Sequence, residues 1–261
     1  MSSLLPNSHR HFYYKNTDCA KESLFFSPAI YNISYLDYIN NSNDKVPVFD
    51  SNFVHYYMMG VHPWDTNLFH YNEDEFNRFR ETIKMLTKEN GIVGIGEIGV
   101  DFSKGFKADL EQQKKWFEAQ FEFAITLSLP VTLHVVKAFN FIEVMLKKYR
   151  PAIPILFHHI SCSTIIAKNL LEMGHCYFSF APSVFKGKIC LSENMRGLIK
   201  MVPKERLLIE DEKICANENG VREYEKWFEY IGQLRGTSSY NVKQSVSQNI
   251  KSFFTPLRAQ Y

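Results

Sequence analysis

The amino-acid sequence predicts a (β/α)8 barrel of the TIM type, and an open doubly wound α/β sheet is the alternative. Short apolar runs with strand character recur eight times along the chain, and amphipathic helix-like segments follow most of them. Residues 91–101 form an almost wholly apolar run, typical of a strand in a parallel sheet that is covered on both faces. No composition shift marks a linker within the 261 residues, so we expect one domain over residues 1–261.

The predicted elements alternate along the chain. Asp109 and Gln112 resemble a capping box that starts one helix, and Ser163 can cap another helix that Gly174 ends. Further helices are predicted at residues 71–89, 138–149 and 221–234. The strands are predicted near residues 3–8, 28–33, 56–61, 92–97, 130–135, 153–158, 175–180 and 206–211, with 46–49 as an alternative for the second.

Composition and cysteine usage narrow the class of protein. A formal net charge of +2 neither requires nor excludes a polyanionic substrate. The five cysteines are widely spaced without a CxxC pair, which argues against a zinc knuckle or a disulfide framework and favours free thiols in a reducing compartment. The sequence shows neither a signal peptide nor a run long enough to span a bilayer. We therefore expect a cytoplasmic protein that is not a membrane protein, and we predict no stable protein partner.

Histidines and acids follow the predicted strands at the places where those strands end. In a barrel these ends open on one face, so the side chains are expected to gather in one basin. Mixed nitrogen and oxygen ligands suit one or two divalent cations, and an acid central among the strands is the natural bridge between two ions. The residues concerned are His9 and His11 after the first strand, His62 after the third, Glu97 at the end of the fourth, His134 and His158 at the ends of the fifth and sixth, and Glu210-Asp211-Glu212 after the eighth.

Each of these residues also has a purely structural interpretation. A single histidine at a strand end is more often a hydrogen-bonded structural residue than a ligand, and Glu97 alone is compatible with a salt-bridged core carboxylate. The number of such residues at strand ends favours the metal site, because random placement seldom produces it. His159 follows His158 directly and is expected to point away from it, and His55 and His70 lack a strand-end position.

Several motifs resemble those of the TatD family of metal-dependent nucleases along nearly the whole chain. Gly94–Asp101 is similar to the family's IGEIGLD and is the most specific of them. The other similar segments are His9-Arg10-His11 (HxH), Gly60-Val61-His62-Pro63 (GIHP), residues 129–134 (LPVxxH), His158 (HCFSG) and residues 207–210 (the start of LLLETD).

The resemblance implies a barrel of the metallo-dependent hydrolase type and a phosphodiesterase that cleaves DNA with one or two divalent ions, Mg, Mn or Zn. His9 and His11 would hold one ion, His134 and His158 would hold the other, and Glu97 would bridge them. An acid after the eighth strand, Glu212 or Asp211, would join the metal site, orient a metal-activated water and accept its proton. His62 and Lys137 would contact the substrate.

The chain departs from the family pattern at the substrate rim. Glu212 stands where the family has Asp, and Val136 stands where an arginine is frequent, which leaves Lys137 as the nearby cation. Lysine gives phosphate a point charge rather than a bidentate fork. Two other functions therefore stay open: a barrel hydrolase that acts on an ester, lactone or acyl-tRNA bond, and a non-catalytic metal-binding relative.

Overall fold

Parallel strands that run in chain order form the centre of the molecule. The computed structural model describes residues 5–12, 26–41, 54–89, 91–103, 109–182, 184–185, 188–189, 191–211 and 218–255. The strands are β1 (Leu5–Phe12), β2 (Phe26–Ser34), β3 (His55–Gly60), β4 (Gly94–Asp101), β5 (Val131–Val136), β6 (Ile155–Phe157), β7 (Cys176–Phe180), β8 (Val184–Phe185), β9 (Lys188–Ile189) and β10 (Leu207–Ile209). The eight-stranded sheet has the order β1-β2-β3-β4-β5-β6-β7-β10, and β8 pairs with β9 in a separate antiparallel hairpin.

Helices follow most of the strands of this sheet. They are α1 (Tyr35–Asn41), α2 (Glu73–Lys88), α3 (Leu110–Thr126), α4 (Phe139–Tyr149), α5 (Thr164–Glu172), α6 (Glu193–Met201), α7 (Glu218–Arg235) and α8 (Ser239–Phe253). Within the described ranges, no helix combines the length and the apolar character needed to cross a membrane. The alternation of parallel strands and helices confirms the predicted α/β class.

Side chains join the last strand of the sheet to the first. The hydroxyl of Ser8 donates to the carbonyl of Ile209 at 3.0 Å, and the buried hydroxyl of Tyr224 lies 3.1 Å from the carbonyls of Pro6 and Ile209. The sheet thereby forms a nearly closed barrel, as the sequence predicts, and the open doubly wound alternative is wrong. All eight predicted barrel strands are present, and the second is at Phe26–Ser34; the alternative at 46–49 lies outside the described residues.

Two strands extend further than predicted. β1 continues to Phe12, so His9 lies inside the strand rather than after it, because residues 10–12 still pair with β2. β4 continues to Asp101, so Glu97 lies in the middle of its strand rather than at the end. The pairing of β4 with β5 is irregular between Ile95 and Ile98 and then resumes as far as Asp101.

The predicted helix caps are confirmed, except that the capping box lacks the hydrogen bond between the Gln112 side chain and the backbone of Asp109. Asp109 accepts from the backbone of Gln112, and Ser163 caps α5. The amide oxygen of Gln112 accepts from the backbone N–H of Tyr71 at 2.6 Å instead of returning to Asp109. The N–H of Asp109 donates to Asn67, so a tertiary contact replaces the reciprocal bond.

Helix α3 fixes the ends of two strands that carry site residues. The buried side chain of Gln120 accepts from Val61 N–H at 2.7 Å and donates to Val61 C=O at 3.2 Å. The side-chain oxygen of Gln113 accepts from Asp101 N–H at 2.7 Å. These bonds satisfy backbone groups that the sheet leaves unpaired, and they hold the chain on either side of the cluster described below.

Candidate metal centre

Glu97 lies at the centre of the barrel and is surrounded by four imidazoles. Its Oε1 lies 2.7 Å from His158 Nε2, 2.8 Å from His134 Nδ1 and 3.2 Å from His62 Nε2. Its Oε2 lies 3.2 Å from His9 Nε2. The carboxylate is 3% exposed, so strands β1, β4 and β5 and the segments after β3 and β6 bring five ionisable groups together away from bulk water.

Glycines on either side of Glu97 let β4 approach its neighbour. A Cβ on Gly96 would lie 2.8 Å from the Cβ of Thr132 on β5. Gly99 has φ +154°, and a Cβ there would lie 1.9 Å from the carbonyl oxygen of His134. A larger residue at Gly99 would therefore push β4 away from the strand that carries His134.

The charge of Glu97 depends on its imidazole neighbours. Burial acts to raise the pKa of this carboxyl, but the charges of His158, His62 and His9 and the hydrogen bond from His134 hold it well below its ordinary value. Burial has the opposite sign for a base and lowers the pKa of His134, although its bond to Glu97 opposes this. The cluster therefore favours a charged carboxylate beside a neutral His134, which is the protonation state that metal ligands need.

Each imidazole directs its second nitrogen to an outer partner. His9 Nδ1 lies 3.0 Å from the side-chain amide of Asn32. His134 Nε2 lies 3.5 Å from an oxygen of Asp101, and His158 Nδ1 lies 3.4 Å from Glu210 Oε1. Outer partners of this kind orient the rings of metal-bound histidines and fix their tautomers.

Glu210 and Asp101 are themselves held in place. The buried Glu210 accepts from Ser179 Oγ at 2.5 Å, and Asp101 accepts from Trp64 Nε1 at 2.9 Å and from Ser103 N–H at 2.8 Å. Burial acts to raise the pKa of Glu210, but the hydrogen bond and charge of His158 lower it below its ordinary value. Both outer carboxylates are therefore anions that support the rings they face.

His62 has a different arrangement from the other three histidines. Its Nδ1 accepts from the backbone N–H of Trp64 at 3.2 Å, so in a neutral ring the proton is on Nε2, the atom that lies against Glu97. A nitrogen that carries a proton cannot coordinate a cation. This geometry favours His62 as a hydrogen-bond donor beside the carboxylate.

The residues present fit a divalent cation. Two groups of ligand atoms each lie within 4.8 Å of one another, His9 with Glu97 and His158, and His62 with Glu97 and His134. Both groups share Glu97, as expected of a bridging carboxylate, and imidazole with carboxylate is a donor set that zinc, manganese and iron accept. The cluster is therefore capable of binding metal. The group of His9, Glu97 and His158 is the more complete of the two, because a neutral His62 in the other group carries its proton on the nitrogen that faces Glu97.

The remaining predicted site residues have different positions. The side chain of His11 and all of Glu212 lie outside the described residues. Asp211 is half-buried, and its carbonyl accepts from Asn7 and Arg10 at 3.2 Å, which joins the end of β10 to β1. Lys137 is exposed directly after β5 and is not among the described residues around the cavity above the cluster.

That cavity has a volume of about 610 Å³ and reaches down to Glu97, His62, His134 and His158. Carboxylate, hydroxyl and aromatic side chains form much of its wall. They include Ser34, Asp37, Trp64, Asp65, His159 and Ser161. Its volume is in the range of sites for small ligands.

Three residues of the site are absent from the sequence-based prediction of the metal site: Asn32, Trp64 and Asp101. Asp101 stands inside a motif quoted above and Trp64 follows the Gly60–Pro63 motif, whereas Glu210 is among the predicted acids but faces His158 from outside the cluster. Asn32 carried no signal, because it is an ordinary polar residue within an apolar strand.

The comparisons with known proteins agree with one another. The family profile described as TatD related DNase matches residues 34–255. An uncharacterised metal-dependent hydrolase of Mycoplasma genitalium is 29% identical over 75% of this chain and 76% of its own length, and one from Mycoplasma pneumoniae is 30% identical over 75% and 77%. A 3'-5' ssDNA/RNA exonuclease TatD of Erwinia tasmaniensis is 31% identical, over 58% of this chain and 55% of its own length.

Solved structures have the same fold. The crystal structure of a TatD homologue from Escherichia coli K12 superposes with a TM-score of 0.73 at 18% identity, over 96% of this chain and 98% of that one. A TatD family hydrolase from Entamoeba histolytica gives 0.69 at 17% identity, over 98% and 100%. With a buried imidazole–carboxylate cluster at the centre of such a barrel, and a family profile that spans most of its length, this chain belongs to the TatD family of metal-dependent hydrolases.

Proposed function

We propose that this hydrolase is a phosphodiesterase that removes nucleotides from the ends of single-stranded DNA or RNA. The observation that carries the proposal is Glu97 within its four imidazoles at the base of a cavity of about 610 Å³. The relatives named 3'-5' ssDNA/RNA exonucleases support the substrate class. A cavity of this size accommodates the end of a strand more readily than the side of a duplex.

The proposed ligand assignment follows the distances. His9, Glu97 and His158 would hold one divalent ion, and His134 with Glu97 would help to hold a second, with Mg, Mn or Zn as the candidate metals. His134 Nδ1 also lies 3.1 Å from His158 Nε2, so the pairing of these two histidines that the family resemblance implies stays the alternative. His11 is retained as a proposed ligand from the HxH motif. When bound, such ions polarise a phosphoryl group and lower the pKa of a bound water.

The protein's own residues orient the reacting groups. Asn32, Asp101 and Glu210 face the outer nitrogens of three of the four rings, and His62 is proposed to contact the substrate. Glu212 or Asp211 is proposed to join the metal site and accept the proton of the attacking water. Lys137 stays a proposed substrate contact.

The test of the function is cleavage of end-labelled single-stranded and double-stranded oligonucleotides. The purified protein is assayed with Mg²⁺, Mn²⁺ or Zn²⁺ and with EDTA. We expect nucleotide release from single strands that requires a divalent ion. Activity confined to an aminoacyl-tRNA, lactone or other carboxylic ester would establish the alternative hydrolase, and metal binding without turnover on any of these substrates would establish a non-catalytic relative.

A second assay separates the two candidate acids after β10. Asp211→Asn and Glu212→Gln are compared for kcat on the same oligonucleotide. We expect the larger loss for Glu212→Gln, because Glu212 aligns with the family's aspartate. A larger loss for Asp211→Asn would assign the role to that residue.

A cytoplasmic location and a single domain stay predictions from the sequence.

A further inference from the structure

Trp64 is the exposed tryptophan of this protein, and it stands in the wall of the cavity above the metal centre. Its side chain is 46% exposed, whereas the other two tryptophans of the chain, Trp116 and Trp227, are buried. An exposed indole leaves a large apolar surface in water, which the other tryptophans avoid by packing in the core. The exposure of Trp64 beside the metal centre therefore contrasts with the packing of the other two tryptophans.

The indole of Trp64 is held in one orientation. Its Nε1 donates to Asp101 Oδ2 at 2.9 Å, and its ring makes T-shaped contacts with His62 at 4.9 Å and His134 at 5.4 Å between centroids. An aromatic ring that is fixed before the ligand arrives loses little conformational entropy on binding. Trp64 thus offers a rigid aromatic surface within a few ångströms of the histidines of the metal centre.

The charge of the cavity wall limits how a nucleic acid can bind there. The described residues that line the cavity include the carboxylates Asp37 and Asp65 but no lysine or arginine. Affinity for a nucleic-acid backbone normally comes from lysine and arginine at the phosphates. Because the described part of this wall offers no lysine or arginine to the phosphates, contacts to a base would add to the affinity there.

From these observations we propose that Trp64 is a stacking platform for a nucleobase, which positions the adjoining phosphodiester over the metal centre. The inference rests on the proposed function and describes how that site holds its substrate. Stacking of this kind tolerates any base, because every base has a π face. The site would therefore require the presence of a base but would discriminate weakly among the four.

The first experiment measures binding without turnover. The intrinsic fluorescence of the protein, excited at the red edge of tryptophan absorption, is titrated with dAMP and separately with 2-deoxyribose 5-phosphate, which lacks the base. We expect saturable quenching by dAMP only, and its disappearance in Trp64→Phe, which keeps the two buried tryptophans. Equal responses to both compounds, or quenching that survives in Trp64→Phe, would overturn the proposal.

The second experiment measures the base dependence of cleavage. Single-stranded oligonucleotides carry an abasic residue at the 3′-terminal or the adjacent position, and kcat/KM is compared with that of the intact strand. For the wild type we expect a loss of about 10- to 100-fold at one of the two positions, since stacking on an aromatic residue contributes that much. In Trp64→Ala we expect this discrimination to disappear, with the loss mainly in KM.

The series of variants separates stacking from support of Asp101. Trp64→Phe keeps an aromatic face but removes the N–H donor, whereas Trp64→Ala removes both. Stacking predicts that Phe retains the base discrimination and Ala does not, and a role limited to holding Asp101 predicts equal effects of the two. Leu68→Ala, at an 80% exposed residue of the same turn, is the matched control and should behave as wild type.

The two proposals fail in different ways. Absence of cleavage by the wild type on every oligonucleotide would contradict the proposed function, while the fluorescence titration would still decide whether a base stacks on Trp64. Metal-dependent cleavage with equal rates on intact and abasic strands would leave the proposed function standing and refute the stacking platform.

Discussion

Glu97 is costly for the protein to bury, and its surroundings offset that cost. A carboxylate removed from water needs a compensating charge or hydrogen bonds, and the four imidazole contacts at 2.7 to 3.2 Å provide them. A bound cation would compensate the carboxylate further. The residue is thus adapted to a charged state that a neutral amide cannot reproduce.

Glu97→Gln should abolish metal-dependent turnover while the fold persists. Glutamine has nearly the same shape but lacks the charge and one acceptor, and we expect the loss to exceed the roughly 10- to 100-fold that follows removal of an outer partner of a metal ligand. Oligonucleotide cleavage, metal content and circular dichroism would be measured together. His70→Gln, at an exposed histidine outside the cluster, is the control. Full activity in folded Glu97→Gln would refute the bridging role.

The metal-free protein should lose stability as the pH falls. The pKa of His134 lies below its ordinary 6.5 and that of Glu97 well below 4.5, so the folded state binds fewer protons than the unfolded state in both ranges. The contribution of the two groups to the free energy of unfolding is then fully present above about pH 6.5. As the pH falls, this contribution decreases first because His134 binds a proton, and below about pH 4.5 because Glu97 also binds one. The melting temperature of chelated protein between pH 8 and 4 tests this. His134→Asn should flatten the upper part of the curve, and a pH-independent wild type would contradict the assignment.

At the scale of elements, α3 connects the outer layer of the barrel to the site. Gln120 holds both backbone groups of Val61, the residue before His62, and Gln113 holds the N–H of Asp101. None of these three bonds is predictable from the sequence, because a glutamine within an amphipathic helix resembles a surface residue. The apolar residues of the same helix were predictable from their spacing.

Gln120→Met should destabilise the protein and disturb the site. Methionine fills a similar volume but leaves the N–H and C=O of Val61 without partners, a loss of about 1–3 kcal/mol for each unsatisfied buried group. Urea unfolding would measure the stability, and kcat/KM would report the displacement of His62. Lys115→Met, at an exposed position of the same helix, should change stability by no more than about 0.5 kcal/mol. Equal effects of the two variants would refute the role of Gln120.

At the scale of the whole molecule, metal binding should stabilise the barrel because the ligands come from distant parts of the chain. A cation that binds only the folded state at 100 times its Kd adds about 2.7 kcal/mol. For a protein of this size that corresponds to roughly 5–10 °C in Tm. Calorimetry with EDTA and after addition of Mn²⁺ tests the prediction. Glu97→Gln should show no shift, and a wild-type Tm that ignores Mn²⁺ would argue against a site in this cluster.

The barrel, its strands and most of the residues at its centre are predictable from the sequence. The strands are recognisable because burial on both faces requires continuous apolar runs. Glu97, His134 and His158 are identifiable because a polar residue within or directly after such a run needs a partner. This inference uses only residues that are neighbours in the sequence, because it depends on where a polar residue interrupts an apolar run.

The arrangement of these residues around Glu97 depends on the complete fold. The tertiary structure groups His9 with His158, places His62 Nε2 against Glu97, and brings Asn32 and Glu210 behind the rings. It also closed the barrel through Ser8 and Tyr224 rather than through strand pairing alone. Such contacts join residues up to about two hundred positions apart, and their geometry depends on the packing of the whole barrel, which no local pattern encodes.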